Sequence, residues 1–157
     1  MPAQPDLNRH GGMHRSLDPI YAFPEKRFVK NLVDDMLHRT SALRCLGGAR
    51  NNSVLESFME ELAHAQSWDS LEYRFSQLLD PRAIAVLGHL EDCLGALPLA
   101  ASLSRGIAHA QYKNEMNRLV VAVDLRVTDD AAVELINPVV VADTGRVQDR
   151  AGLDAQL

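Results

Sequence analysis

The chain has 157 residues, 46% of them apolar and 24% charged, with a net charge of −5. Such a composition suits one globular domain that can build a core without metal or disulfide. No apolar run approaches the ~18 residues of a membrane span, and "MPAQPDLNRHGGMHRS" has no apolar signal-peptide segment, so the expected location is cytoplasmic. The charge is uneven: residues 1–50 hold eight Lys and Arg against five Asp and Glu, and residues 51–157 hold eight against sixteen. An acidic body argues against non-specific nucleic-acid binding. Cys45 and Cys93 sit in apolar helical patterns, where free buried thiols are common.

Residues 1–19 combine Pro2, Pro5, Gly11, Gly12 and Pro19 with few apolar groups and read as a mobile segment ahead of a single domain over residues 20–144. Pro24 suits a first helical turn. The stripe Phe28, Val29, Leu32, Val33, Met36, Leu37, Leu43 and Leu46 predicts a helix that Gly47-Gly48 would stop. DNA binding would require Lys26, Arg27, Lys30 and Arg39 to form one stripe, but the neighbouring carboxylates Asp34 and Asp35 oppose it.

A second helix is expected to start at the capping box Ser53–Glu56 and to bury Val54, Leu55, Phe58, Met59 and Leu62. Ser67 or Asp69 would cap a third, with Leu71, Phe75, Leu78 and Leu79 apolar. Trp68 at their junction reads as a hinge-filling core residue, with an exposed recognition aromatic as the alternative. Asp80-Pro81 opens a fourth helix through Ile84, Leu87, Leu90 and Leu94, stopped at Gly95.

Beyond Pro98 the pattern alternates. Leu97 to Ile107 suits strands, with a helix as the alternative, and a strand over roughly 106–112 leads through "YKNEMN" to the clear alternation from Arg118. There Leu119, Val121, Val123, Leu125 and Val127 form the face expected to pack on helices; Val120, Ala122, Asp124, Arg126 and Thr128 form the half-wet one. A turn at 128–131 returns the chain as a last strand, where Pro138 requires an edge or a bulge. Residues 145–157 read as a loose tail. The expected fold is α+β: N-terminal helices packed on a C-terminal antiparallel β-meander in two layers. Its sheet edges would be covered economically in a homodimer.

Phosphate-binding glycine loops, H-E-x-x-H, C-x-x-C and G-x-S-x-G are all missing from the sequence. His89 and Cys93, at i,i+4 on one helix, could hold zinc only with two further ligands, from Cys45, His38, His64 or His109. The competing explanation makes Cys93 part of the buried stripe. His109 is read as a structural hydrogen-bonding residue rather than a proton-transfer group, and it stands with Trp68, Tyr73 and Phe75 as a ligand or interface candidate. Trp68, Tyr73, Phe75 and Met59 could line a pocket between helices and sheet. Three readings follow: a non-enzymatic regulator acting through an unidentified protein partner, a small-molecule sensor, and a metal-dependent enzyme. The first is preferred, with no catalytic residue and no cofactor.

The stretches "FVKNLVDDMLHRTSALRCLGG" and "SWDSLEYRFSQLLDP" resemble the RsaM-type proteins, small acidic bacterial regulators of acyl-homoserine-lactone quorum sensing. The likeness covers roughly residues 25–140 and carries no functional residue across. It implies a non-enzymatic negative regulator of signal production and transcription, with a helix-and-sheet fold.

Overall fold

The computed structural model describes residues 12–31, 44–112 and 117–157. Its first helix, α1 (Gly47–Ala65), begins at the two glycines expected to end one. The reason is a close backbone crossing: a Cβ on Gly47 would stand 2.2 Å from the Met13 carbonyl oxygen. Asn51 seals the crossing by donating to the Met13 and Arg15 carbonyls, both at 2.9 Å. Ser53 therefore lies inside α1, not at its cap. Residues 24–31 are irregular, and the remainder of the expected first helix, 32–43, falls outside the described residues. Residues 12–19, assigned by composition to a mobile segment, pack on the domain: Ser16 is buried and donates to the Gln111 carbonyl at 2.8 Å. Tyr21 then pairs with Leu78 as an isolated antiparallel bridge.

Helices α2 (Ser70–Ser76) and α3 (Pro81–Gly95) start where the sequence places them. The Asp69 carboxylate accepts from the amides of Leu71 and Glu72 at 2.8 and 3.1 Å, and that of Asp80 accepts from Arg82 at 2.9 Å. These caps satisfy amides that a helix leaves unpaired at its N-terminus.

Three strands follow, β1 (Ser104–Tyr112), β2 (Asn117–Val127) and β3 (Val133–Asp143), antiparallel in the order β1-β2-β3. Of the stretch expected to alternate from Leu97, only the part from Ser104 joins the sheet. Pro138 lies on edge strand β3, beside a register shift opposite Ala122–Asp124, as a missing N–H requires. The fold is α+β: α1 covers β1, and α3 covers β2 and β3. Between the layers lie Met59, Ala63, Leu71, Ala83, Val86, Leu87, Leu90, Val120 and Ala122. The short helix α4 (Arg150–Asp154) stands in the stretch expected to be a loose tail, and Arg44 donates to Gln156 just beyond it.

The sheet faces are the reverse of those expected. Arg118, Val120, Ala122 and Asp124 point into the helical layer, while Leu119, Val121, Val123 and Leu125 point out. A one-residue change of register exchanges the two faces of a strand, so whatever satisfies the polar members decides. Here both charges find partners inside: Arg118 reaches Asp80 at 2.5 Å, and Asp124 takes both Arg105 Nε at 2.6 Å and Asn137 at 3.3 Å. The small residues Val120 and Ala122 between them give α3 room to approach.

Asp80 thus caps α3 and neutralises the buried Arg118. Although burial opposes it, the bonds from Arg118 and the α3 amides hold its carboxyl below the usual range. Asp69→Ala, which removes a cap alone, should cost about 1 kcal/mol in urea denaturation. Asp80→Ala should cost roughly 2–4 kcal/mol, because it also strands a buried guanidinium. Asp80→Asn, which keeps a capping oxygen, should fall between them.

Candidate functional site

The densest group of titratable side chains lies in the core. Glu56 on α1 is buried and accepts from the Tyr21 hydroxyl at 2.8 Å, Arg74 Nε at 3.1 Å and the His109 backbone N–H at 2.9 Å. Arg74 on α2 is fully buried; it donates also to Glu60 at 3.0 Å, to the Ile107 carbonyl at 3.0 Å and to the Ser70 hydroxyl. Burial pushes the Glu56 carboxyl up, against the pull of Arg74 and the other donors, and pushes the Tyr21 phenol far up. Proton transfer needs a reachable group with unused capacity. Glu56 instead spends its oxygens on three protein donors, and neither of the two surface grooves described below is lined by it. The cluster is a structural joint between α1, α2, β1 and the N-terminal segment.

His109 is buried beside this joint, and among the described residues neither of its ring nitrogens has a hydrogen-bond partner. It was expected to make a structural hydrogen bond; its backbone N–H makes one, to Glu56, and its imidazole makes none. The ring packs edge-on to Tyr21, with centroids 6.5 Å apart. Burial, then the positive charges of Arg118 and Arg74, lower its pKa to about 4, with Asp80 opposing.

Trp68 is not a core residue. It is 49% exposed, edge-on to the buried Tyr73 with centroids 6.0 Å apart. With Glu60, Glu91, Leu94, Leu99 and Ile107 it lines an open groove of about 560 Å³ between the helices and β1. The other expected lining residues do not join it: Met59 and Tyr73 are buried in the core, and Phe75 packs against that core. A second hollow of about 390 Å³ lies between Cys45, Ala110, Leu119, Leu153 and Leu157.

His89 and Cys93 share a face of α3, but that face is exposed, so Cys93 does not belong to the buried stripe. Cys45 is exposed too, at a turn with φ 69°, and both thiols are free. Among the described residues no three His, Cys, Asp or Glu side chains converge as a metal site. Of the basic residues weighed for DNA, Lys26 is bonded to Asp18 at 2.9 Å, and Arg39 lies outside the described residues. No helix of the described residues is long and apolar enough to cross a membrane.

The remaining feature is the outer face of the sheet. Strand pairing aligns Ala110 with Leu119 and Ala142, Ala108 with Val121 and Val140, Ser104 with Leu125 and Leu135, and Val127 with Val133. Ser104 apart, these residues are apolar. Asn117 and Tyr112 close the row at one end, where Ala110 and Leu119 share a hollow with Leu153 and Leu157, and Leu119, Val121, Val123 and Leu125 are half-buried. Leu135 is 71% exposed, Val127 63% and Val133 61%. The helices α1 and α3 occupy the opposite face, with the core. Contiguous exposed apolar patches are the kind of surface that proteins use for contacts, whereas single exposed apolar residues need no explanation. The alternation of β2 was legible in the sequence, but the apolar row was assigned to the inside. Arg118 and Asp124 in the other row were the signal for buried ion pairs.

Comparison of the chain with protein-family models, curated proteins and solved structures finds no match.

A neutral, buried His109 makes stability depend on pH. Its folded pKa lies below the unfolded value, so the unfolded chain binds more protons between pH 6.5 and about 4. Its stabilising contribution is complete above pH 6.5 and is lost as pH falls through that window. His109→Leu removes the dependence. Relative to the variant, the wild type should lose roughly 3 kcal/mol between pH 7 and pH 4 in urea denaturation. A constant difference across that range would contradict the neutral buried imidazole.

Proposed function

We propose that the chain is a non-enzymatic regulatory protein of the cytoplasm, acting by contact with protein surfaces through the outer face of its sheet. The supporting observation is the unbroken apolar row Leu119, Val121, Val123, Leu125 and its neighbours Leu135 and Val140, opposite the helical layer. Leaving such a face in water forgoes the burial that apolar area gains elsewhere, at ~25 cal/mol per Å², and a docked protein recovers it. The resemblance of residues 25–140 to RsaM-type regulators supplies the setting: a negative effect on acyl-homoserine-lactone signalling and transcription.

A second reading makes the chain a small-molecule sensor. The groove beside Trp68 favours it, being of ligand size at about 560 Å³ and carrying an exposed aromatic. Two substitutions separate the readings in an acyl-homoserine-lactone-producing reporter strain. Val121→Glu should abolish the lowering of signal at equal protein abundance, and Trp68→Ala should leave it intact. The reverse pattern would favour the sensor. No effect of the wild type on signal would remove the quorum-sensing assignment.

A further inference from the structure

We infer that the groove beside Trp68 binds a small organic cation, an ammonium group carried on an apolar body. This deepens the reading of that groove as a ligand site and does not depend on the outer face of the sheet.

Charge points to the cation. Three carboxylates line the groove, Glu60, Asp69 and Glu91, together with the guanidinium of Arg105. Arg105 is already spent: it holds both oxygens of Asp124, at 2.6 and 3.0 Å, and donates to the Leu97 carbonyl at 2.9 Å. The carboxylates are spent only in part. Glu60 shares one oxygen between Arg74 and Ser70, and Asp69 uses one oxygen to accept from two amides of α2. Glu91 is exposed and makes no hydrogen bond or ion pair among the described residues. The groove therefore presents negative charge that no neighbouring cation opposes, and a positive occupant complements it. A neutral or anionic occupant would strip water from Glu91 and return nothing.

The walls point to the apolar body. Trp68 stands 49% exposed in the groove, braced by the buried Tyr73 with ring centroids 6.0 Å apart. Indole offers a cation the most favourable face of any side chain. Leu94, Leu99 and Ile107 extend the apolar surface beyond it. A bare metal ion would use none of these, and among the described residues no three His, Cys, Asp or Glu side chains converge to hold one. The volume of about 560 Å³ is that of a small-molecule site.

Trp68 is the single tryptophan of the chain, so intrinsic tryptophan emission reports from the groove alone. Titration of the full chain with 2-phenylethylammonium should change that emission saturably, with half-saturation roughly tenfold below that of the neutral 2-phenylethanol. Added salt should weaken the ammonium and not the alcohol. Phenylacetate, of similar size and opposite charge, should not saturate. Glu91→Gln should weaken the ammonium roughly threefold and leave the alcohol and the thermal midpoint unchanged. Equal affinity for ammonium and alcohol would overturn the cation while keeping the groove as a ligand site. Tighter binding of phenylacetate would also overturn it and make Arg105 the anchor. A response to none of the three would overturn this inference and remove the support that the groove gives to the sensor reading.

Discussion

Arg74 heads the largest fully buried side chains among the described residues, and its guanidinium is where three parts of the chain meet. It grips Glu56 and Glu60 of α1, the Ser70 carbonyl at the start of its own helix, and the Ile107 carbonyl of β1. Glu56 extends the joint to Tyr21 and to the amide of His109. Removing one partner from a buried pair leaves an uncompensated charge at a cost of roughly 3–5 kcal/mol, so the joint holds only when all its members are placed. It fixes which edge of the sheet meets α1, and it draws the N-terminal segment across the molecule.

With β1 anchored by this joint, the rest of the sheet follows. Antiparallel pairing carries the inward face from Ile107 and His109 to Val120 and Ala122, then to Val139 and Val141. Ion pairs close both ends: Asp80 with Arg118 at one, Arg105 with Asp124 at the other. At the outer corner Arg82 on α3 binds Asp143 at 2.7 Å and, with the Gly145 amide, holds that carboxyl at about 2. The buried face is rich in charge at its ends, and the exposed face is almost wholly apolar. Hydrophobicity alone cannot choose between such faces; paired charges can.

That choice explains how much was legible beforehand. The fold class, the Asp69 and Asp80 caps, the three strands and the edge proline could be read because each rests on local chemistry. The orientation of β2 could not, because it depends on Asp80 and Arg105, distant from Arg118 and Asp124 by up to 38 positions in sequence. Glu56 was assigned to a capping box, although Met59 and Ala63 follow it at i+3 and i+7 on the buried stripe. Arg74 likewise sits between Leu71 and Leu78, on an apolar stripe. Two opposite charges inside two helical stripes are the pattern that foretells such a joint. Gly47-Gly48 misled because a glycine demanded by a close backbone crossing looks, in sequence, like a helix stop.

The most direct test is cysteine accessibility along β2, in a background with Cys45 and Cys93 replaced by serine. Single cysteines at Val120, Val121, Ala122 and Val123 change volume little, and their alkylation rates read each face in solution. Positions 121 and 123 should react fast and 120 and 122 slowly. Fast reaction at 120 and 122 would contradict the orientation of the sheet. Slow reaction at 121 and 123 as well would mean that the outer face is covered within its own chain and is not a contact surface.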